Sequence, residues 1–162
     1  EERSALDAAR QRDVRIAVAR AGQGYRIGQL RLRILWPAGP GTPGDDPNDH
    51  AIVILASYGE VDALMTADAE SNITGGLRVP PVEILKVAHH GSGDPGLSSL
   101  LDRVRPRIAV ISVGEHNRYG HPDPETLAAL ESAPGLALYR TDRDGRVVVE
   151  SDGERISVRT DR

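Results

Sequence analysis

The chain has 162 residues with 20 basic and 24 acidic side chains, enough for one domain over residues 1–162 with a buried core. A net charge of -4 makes no global electrostatic case for nucleic acid, although a bound divalent metal can supply the positive charge that composition lacks. Cysteine is absent, which excludes disulfides, thiolate nucleophiles and Cys-type zinc sites, so any metal must be held by His, Asp, Glu and water.

Residues 4–12 read as a polar helix. Short β-type runs follow at Val14 to Val18, Tyr25 to Ile27 and Leu30 to Trp36, the last with strict alternation of apolar side chains. Pro37 to Asn48 is a loop dense in Pro, Gly and Asp. Two stronger strands, Ala51 to Ser57 and Val61 to Thr66, flank the turn Tyr58-Gly59-Glu60. Asp68 stands where the second strand stops, and Ala69 to Leu77 suits a short helix. Ile84 to Ala88 is a buried-type strand running into His89-His90-Gly91-Ser92, and Gly96 to Val104 is helical in pattern. The apolar strand Ile108 to Val113 runs into a loop from Glu115 to Pro122. Asp123 as N-cap and Pro124 in the first turn open a helix to about Ser132. Three short strands near Ala137 to Arg140, Arg146 to Glu150 and Arg155 to Arg159 close the chain, joined by turns at Asp144-Gly145 and Asp152-Gly153. No internal repeat interrupts this order, and it predicts an α/β domain, α+β by some schemes.

No apolar run approaches the ~20 residues of a membrane span. The start, Glu1-Glu2-Arg3-Ser4, has no signal-peptide pattern and reads as a cut inside a longer protein.

Chemistry collects just past strand ends, where a rigid sheet presents loops to substrate. Asp68, His89-His90 and the pair His116 and His121 all lie there, so four of the five His fall in two loops. Asp68 suits either an N-cap for a helix starting near Ala69 or a metal ligand, and the two roles are compatible. His89 and His90 read as an exposed polar turn or as a metal and proton-transfer pair brought to one side by a turn at Gly91. Asn117, Arg118, Tyr119 and His121 read as a surface loop or as a kit for a phosphate ester, with Arg118 for charge and His121 as ligand or general acid. Asp49 and His50 suit loop capping, with a ligand role for His50 the lesser reading.

Six segments together resemble a known family. They are DPND (46–49), TAD (66–68), LKVAHHGS (85–92), RPRIAVISVG (105–114), NRYGHP (117–122) and YRTDRDG (139–145). In order and spacing they are similar to the C-terminal extracytoplasmic domain of the ComEC/Rec2 competence proteins, a branch of the metallo-β-lactamase superfamily. The likeness runs from about Asp46 to Val149, with residues 4–36 fitting loosely.

The resemblance implies an αββα sandwich with a two-metal hydrolytic site, holding Zn or Mn, on one edge of the sheets. It assigns Asp68 to bridge the metals, His90 or His89 as a terminal ligand, and His121 to contact the scissile phosphate. His89 and His121 are then the catalytic candidates, with Ser92, Asn117, Arg118 and Tyr119 binding substrate. The implied role is a nuclease on single-stranded DNA during uptake, in a soluble extracytoplasmic domain of a polytopic bacterial inner-membrane protein.

The chain departs from the family pattern at Ala67, where Gly is usual, and at His50, where a small polar residue is usual. It also lacks the HxHxDH motif that supplies most of the metal ligands, and no His precedes His50. The sandwich is therefore expected to be incomplete here, as the C-terminal portion of the domain, with few metal ligands of its own and an exposed sheet surface favouring self-association. A non-catalytic module that binds DNA or a partner, or gates a channel, is the alternative. Lactamase or thioesterase chemistry is a third and weaker one.

Overall fold

A computed structural model describes residues 2–39 and 46–162. The middle of the Pro37 to Asn48 loop lies outside the described residues. Elements in chain order are α1 (Glu2–Gln11), β1 (Gly24–Ile27), β2 (Leu30–Trp36), β3 (Val53–Tyr58), β4 (Val61–Met65), α2 (Ser71–Thr74), β5 (Ile84–Lys86), α3 (Leu97–Val104), β6 (Ile108–Ile111), α4 (Pro124–Ser132), β7 (Ala137–Arg140), α5 (Thr141–Asp144), β8 (Val147–Ser151) and β9 (Ile156–Thr160). The fold is α/β.

Seven strands form one mixed sheet in the order β1-β2-β3-β4-β5-β6-β7, and β8 and β9 form a separate hairpin. β1 to β4 pair antiparallel, whereas β4, β5, β6 and β7 run parallel. Parallel neighbours need a crossover, and crossovers of one hand in sequential order place their helices on the same face. That face holds the core. Leu55, Leu64, Leu85 and Ala109 lie in one cross-strand row, packed with Leu97, Leu100, Leu101 and Val104 of α3 and Leu130 of α4. Leu64, Leu85, Ile111 and Leu130 are each under 2% exposed, and burying one such side chain stabilises by roughly 1.5–3 kcal/mol.

The opposite row runs Ile54, Met65, Lys86, Val110 and Tyr139. Met65 is 42% exposed there and the other four are half-buried. The β8–β9 hairpin reaches from Asp144, whose carbonyl accepts from the amides of Asp161 and Arg162, to Gly153. Gly153 sits against Gly59 so closely that a Cβ on Gly59 would strike its backbone.

Several sequence expectations need correction. Val14 to Val18 forms no strand, and Val14, Ile16 and Val18 are 55%, 45% and 64% exposed. Alternation alone does not make a strand, since the ladder needs a partner and none of the described residues provides one. The helix expected over Ala69 to Leu77 is a single turn at α2, cut short by Gly75 and Gly76. Asp68 does not cap it: Glu70 holds the cap position, without a side-chain cap bond. The first tail strand joins the main sheet as β7, and a helical turn, α5, stands where a simple Asp-Gly turn was expected. The Asp123 and Pro124 helix start is as expected, with the Asp123 carboxylate accepting from the Glu125 amide at 2.8 Å.

Candidate functional site

Three loops meet past the carboxyl ends of the parallel strands β4, β5 and β6. The amide of His89 donates to the carbonyl of Ala67 at 3.1 Å, joining the first loop to the second. The second is held to the third by the Asp123 amide on the Gly91 carbonyl at 2.7 Å, and by Thr126 Oγ1 on the Ser92 carbonyl at 2.6 Å.

The backbone here is strained. His89 and His90 have φ of 45° and 56°, and Ala67 has φ of 49°. These are three of the five non-glycine residues with positive φ among the described residues. A side chain in that region costs roughly 1–2 kcal/mol, and such strain persists where surrounding contacts enforce it, often at functional sites. Gly91 continues the turn at φ 83°, and a Cβ there would lie 2.8 Å from Pro122 Cβ. The left-handed path turns two adjacent His side chains to one side, with ring centroids 6.4 Å apart.

His89 Nδ1 lies 3.0 Å from Glu70 Oε1, and the same oxygen accepts a short hydrogen bond from Ser92 Oγ. His90 Nδ1 lies 2.6 Å from the Ser112 carbonyl. A carbonyl only accepts, so Nδ1 of His90 carries a proton, and in the neutral ring the lone pair is then on Nε2. The acceptor at Glu70 sets His89 the same way. The His121 ring stands 5.6 Å from that of His89 and stacks on Tyr119 at 6.1 Å and 14°.

Asn117 organises the third loop. Its amide nitrogen donates to the carbonyls of Gly114 and His121 at 3.2 and 2.6 Å, and its oxygen accepts from the amides of Tyr119 and His121 at 3.2 and 3.0 Å. His90, Asn117, Tyr119 and His121 line a cavity of about 200 Å³ with Val113 and Gly114.

Asp68 is half-buried and accepts no hydrogen bond from any described residue. Its interaction is electrostatic, with Lys86, the chain's one lysine. Burial pulls the Lys86 ammonium below the ordinary lysine range, and the Asp68 charge opposes that pull. Lys86 Nζ also donates to the Val87 carbonyl at 2.8 Å.

His89, His90, His121, Asn117 and Tyr119 are thus brought together, with Asp68 on the adjoining loop. Ser92 is 8% exposed with its hydroxyl committed to Glu70, so it supports the loop from beneath. Arg118 and His116 are exposed and do not line the cavity. His50 is exposed, while Asp49 accepts from Asn72 Nδ2 at 2.7 Å. The residue of this cluster that sequence reasoning missed is Glu70. It belongs to no motif, and only the fold brings it against His89 and Ser92.

No three His, Asp or Glu side chains are grouped closely enough to hold one metal ion among the described residues. The free Nε2 atoms of His89 and His90 and the Asp68 carboxylate suit a divalent metal in type, but do not make a closed site of their own. No helix among the described residues is long and apolar enough to cross a membrane.

No family profile matches the chain. The chain is 29% identical over 152 residues to ComE operon protein 3 of Bacillus subtilis (strain 168), an alignment covering 88% of this chain and 18% of that protein. It is 31% identical over 140 residues to Recombination protein 2 of Haemophilus influenzae, covering 85% of this chain and 17% of that protein. It is 38% identical over 63 residues to Competence protein ComA of Neisseria gonorrhoeae, covering 39% of this chain and 9% of that protein. The chain therefore spans less than a fifth of the length of these curated relatives, and is similar to two of them over most of its own length.

Proposed function

We propose that this chain is the C-terminal portion of a metallo-β-lactamase-like domain of the ComEC/Rec2 type, and part of a metal-dependent phosphodiesterase acting on DNA during uptake. The observation that carries the reading is that the loops bearing Asp68, His89-His90 and His121 follow the carboxyl ends of successive parallel strands, with the His89 and His121 rings 5.6 Å apart. Similarity to relatives named ComE operon protein 3, Recombination protein 2 and Competence protein ComA supports it.

In this reading the chain contributes one side of a site that residues outside it complete. Bound metal would supply a hydroxide nucleophile and neutralise phosphate charge. His89, fixed by Glu70, presents Nε2 toward the reacting groups, and His121 contacts the scissile phosphate. Tyr119, 84% exposed, gives a flat face on which a base of single-stranded DNA can stack. The parent protein is a polytopic membrane protein of the bacterial inner membrane, and this domain is placed outside the cytoplasm.

A second reading, a non-catalytic module that binds DNA or a partner of an uptake channel, is favoured by the lack of any three-residue metal group among the described residues.

Cleavage of single-stranded DNA by the longer protein with Mn²⁺ or Zn²⁺ decides between them. Metal-dependent cleavage lost in Asp68→Ala supports the hydrolase, and full activity in that variant removes Asp68 from the mechanism. Calorimetry on the 162-residue chain alone is expected to show weak zinc binding or none, and a stoichiometric sub-micromolar site would contradict the one-sided arrangement.

A further inference from the structure

The β1–β2 ribbon carries a charge arrangement that the histidine cluster does not use. Arg26 of β1 pairs directly across from Arg31 of β2, and Arg33 stands on the same face two residues further on. These three side chains, with Tyr25, Leu55 and Asp62 among their neighbours, line a groove of about 620 Å³. Like charges directly opposed across an antiparallel pair destabilise it. Carboxylates are in excess in this chain, yet no ion pair among the described residues involves Arg26, Arg31 or Arg33. One carboxylate, that of Asp62, shares the groove with three guanidinium groups.

The groove is separate from the histidine cluster. Asp62 lies at the start of β4 and Asp68 beyond its far end, with about 10 Å of extended strand from Asp62 to Met65 between them. Arg31 and Arg33 are about 7 Å apart along their strand, a spacing comparable with that of successive phosphates in an extended polynucleotide. Guanidinium forks suit phosphate oxygens, and three of them stand together on this face of the ribbon.

We infer that this groove binds the phosphodiester backbone of single-stranded nucleic acid through Arg26, Arg31 and Arg33. The choice of nucleic acid over another polyanion rests on the proposed function; the anion site itself rests on the uncompensated arginines.

The test is fluorescence anisotropy of the 162-residue chain with a labelled 15-residue oligothymidylate, in a metal chelator, between 50 and 200 mM salt. Three phosphate contacts predict a log–log salt slope of about −2, an affinity loss of about 20-fold over that range. The triple variant Arg26→Gln, Arg31→Gln, Arg33→Gln is expected to flatten the slope and weaken binding at least ~10-fold at the lowest salt. Asp62→Asn is expected to tighten binding about 2-fold or more by removing the one opposing charge. If the triple variant does not fold, Asp62→Asn decides alone, and unchanged or weaker binding in it overturns the proposal. So do absent oligonucleotide binding, binding that the triple variant retains, and binding to phosphatidylglycerol vesicles without binding to the oligonucleotide. Groove binding without metal-dependent cleavage by the longer protein would fail the hydrolase reading and leave this one standing.

Discussion

Glu70 Oε1 lies 3.0 Å from His89 Nδ1 and also accepts from the buried Ser92 hydroxyl, so one carboxylate oxygen orients an imidazole and anchors the turn that carries it. Neither partner is its neighbour in sequence, at separations of 19 and 22 residues.

Glu70→Ala is therefore expected to free the His89 ring and strand the Ser92 hydroxyl. Loss of a buried partner costs about 1–3 kcal/mol. If His89 acts at a metal-assisted site, activity of the longer protein falls about 10–100-fold. Denaturant unfolding reads the first effect, and imidazole ¹⁵N shifts of His89 report the tautomer. An unchanged His89 spectrum in the variant would end the positioning role.

The left-handed turn makes opposite predictions for two small residues. Gly91→Ala places a Cβ 2.8 Å from Pro122 Cβ at φ 83°, so a loss of about 2 kcal/mol is expected, or about 4–8 °C in Tm. Ala67→Gly relieves a side chain at φ 49° and is expected to be neutral or to stabilise by up to about 1 kcal/mol. Thermal unfolding of both variants checks the pair.

Asn117→Ala removes all four hydrogen bonds that shape the loop from Gly114 to His121. The loop lies at the surface, so the expected loss is local order more than global stability. Amide exchange should speed up at Tyr119 and His121, while α3 and β5 keep their protection. Equal acceleration throughout would show that the loop supports the core.

Arg140 grips Asp142 at two points, 3.1 and 2.6 Å, with side chains only 14% and 15% exposed. The Arg140 guanidinium holds the Asp142 carboxyl below the ordinary carboxylate range. A depressed folded-state pKa means that this pair stabilises above the unfolded value, near 4, and the stabilisation is lost as pH falls through the folded value. Asp142→Asn should cost about 1–2 kcal/mol at pH 7, with variant and parent converging at strongly acid pH. A gap that persists there would point to packing instead of charge.

By itself the sequence determined the strand pattern from Leu30 onward, the α3 and α4 helices, the Asp123 cap and the strand-end positions of Asp68, His89, His90 and His121. These follow from local periodicity and capping chemistry, which act over a few residues. Only tertiary structure decided that Val14 to Val18 stays unpaired, that β7 joins the main sheet while β8 and β9 do not, and that Ser92 is buried. Strand pairing is a choice among distant partners, which alternation cannot record. The same reason hid Glu70, whose contacts with His89 and Ser92 exist only once β4 and β5 lie side by side, and the facing arginines of the ribbon, whose register is set by pairing.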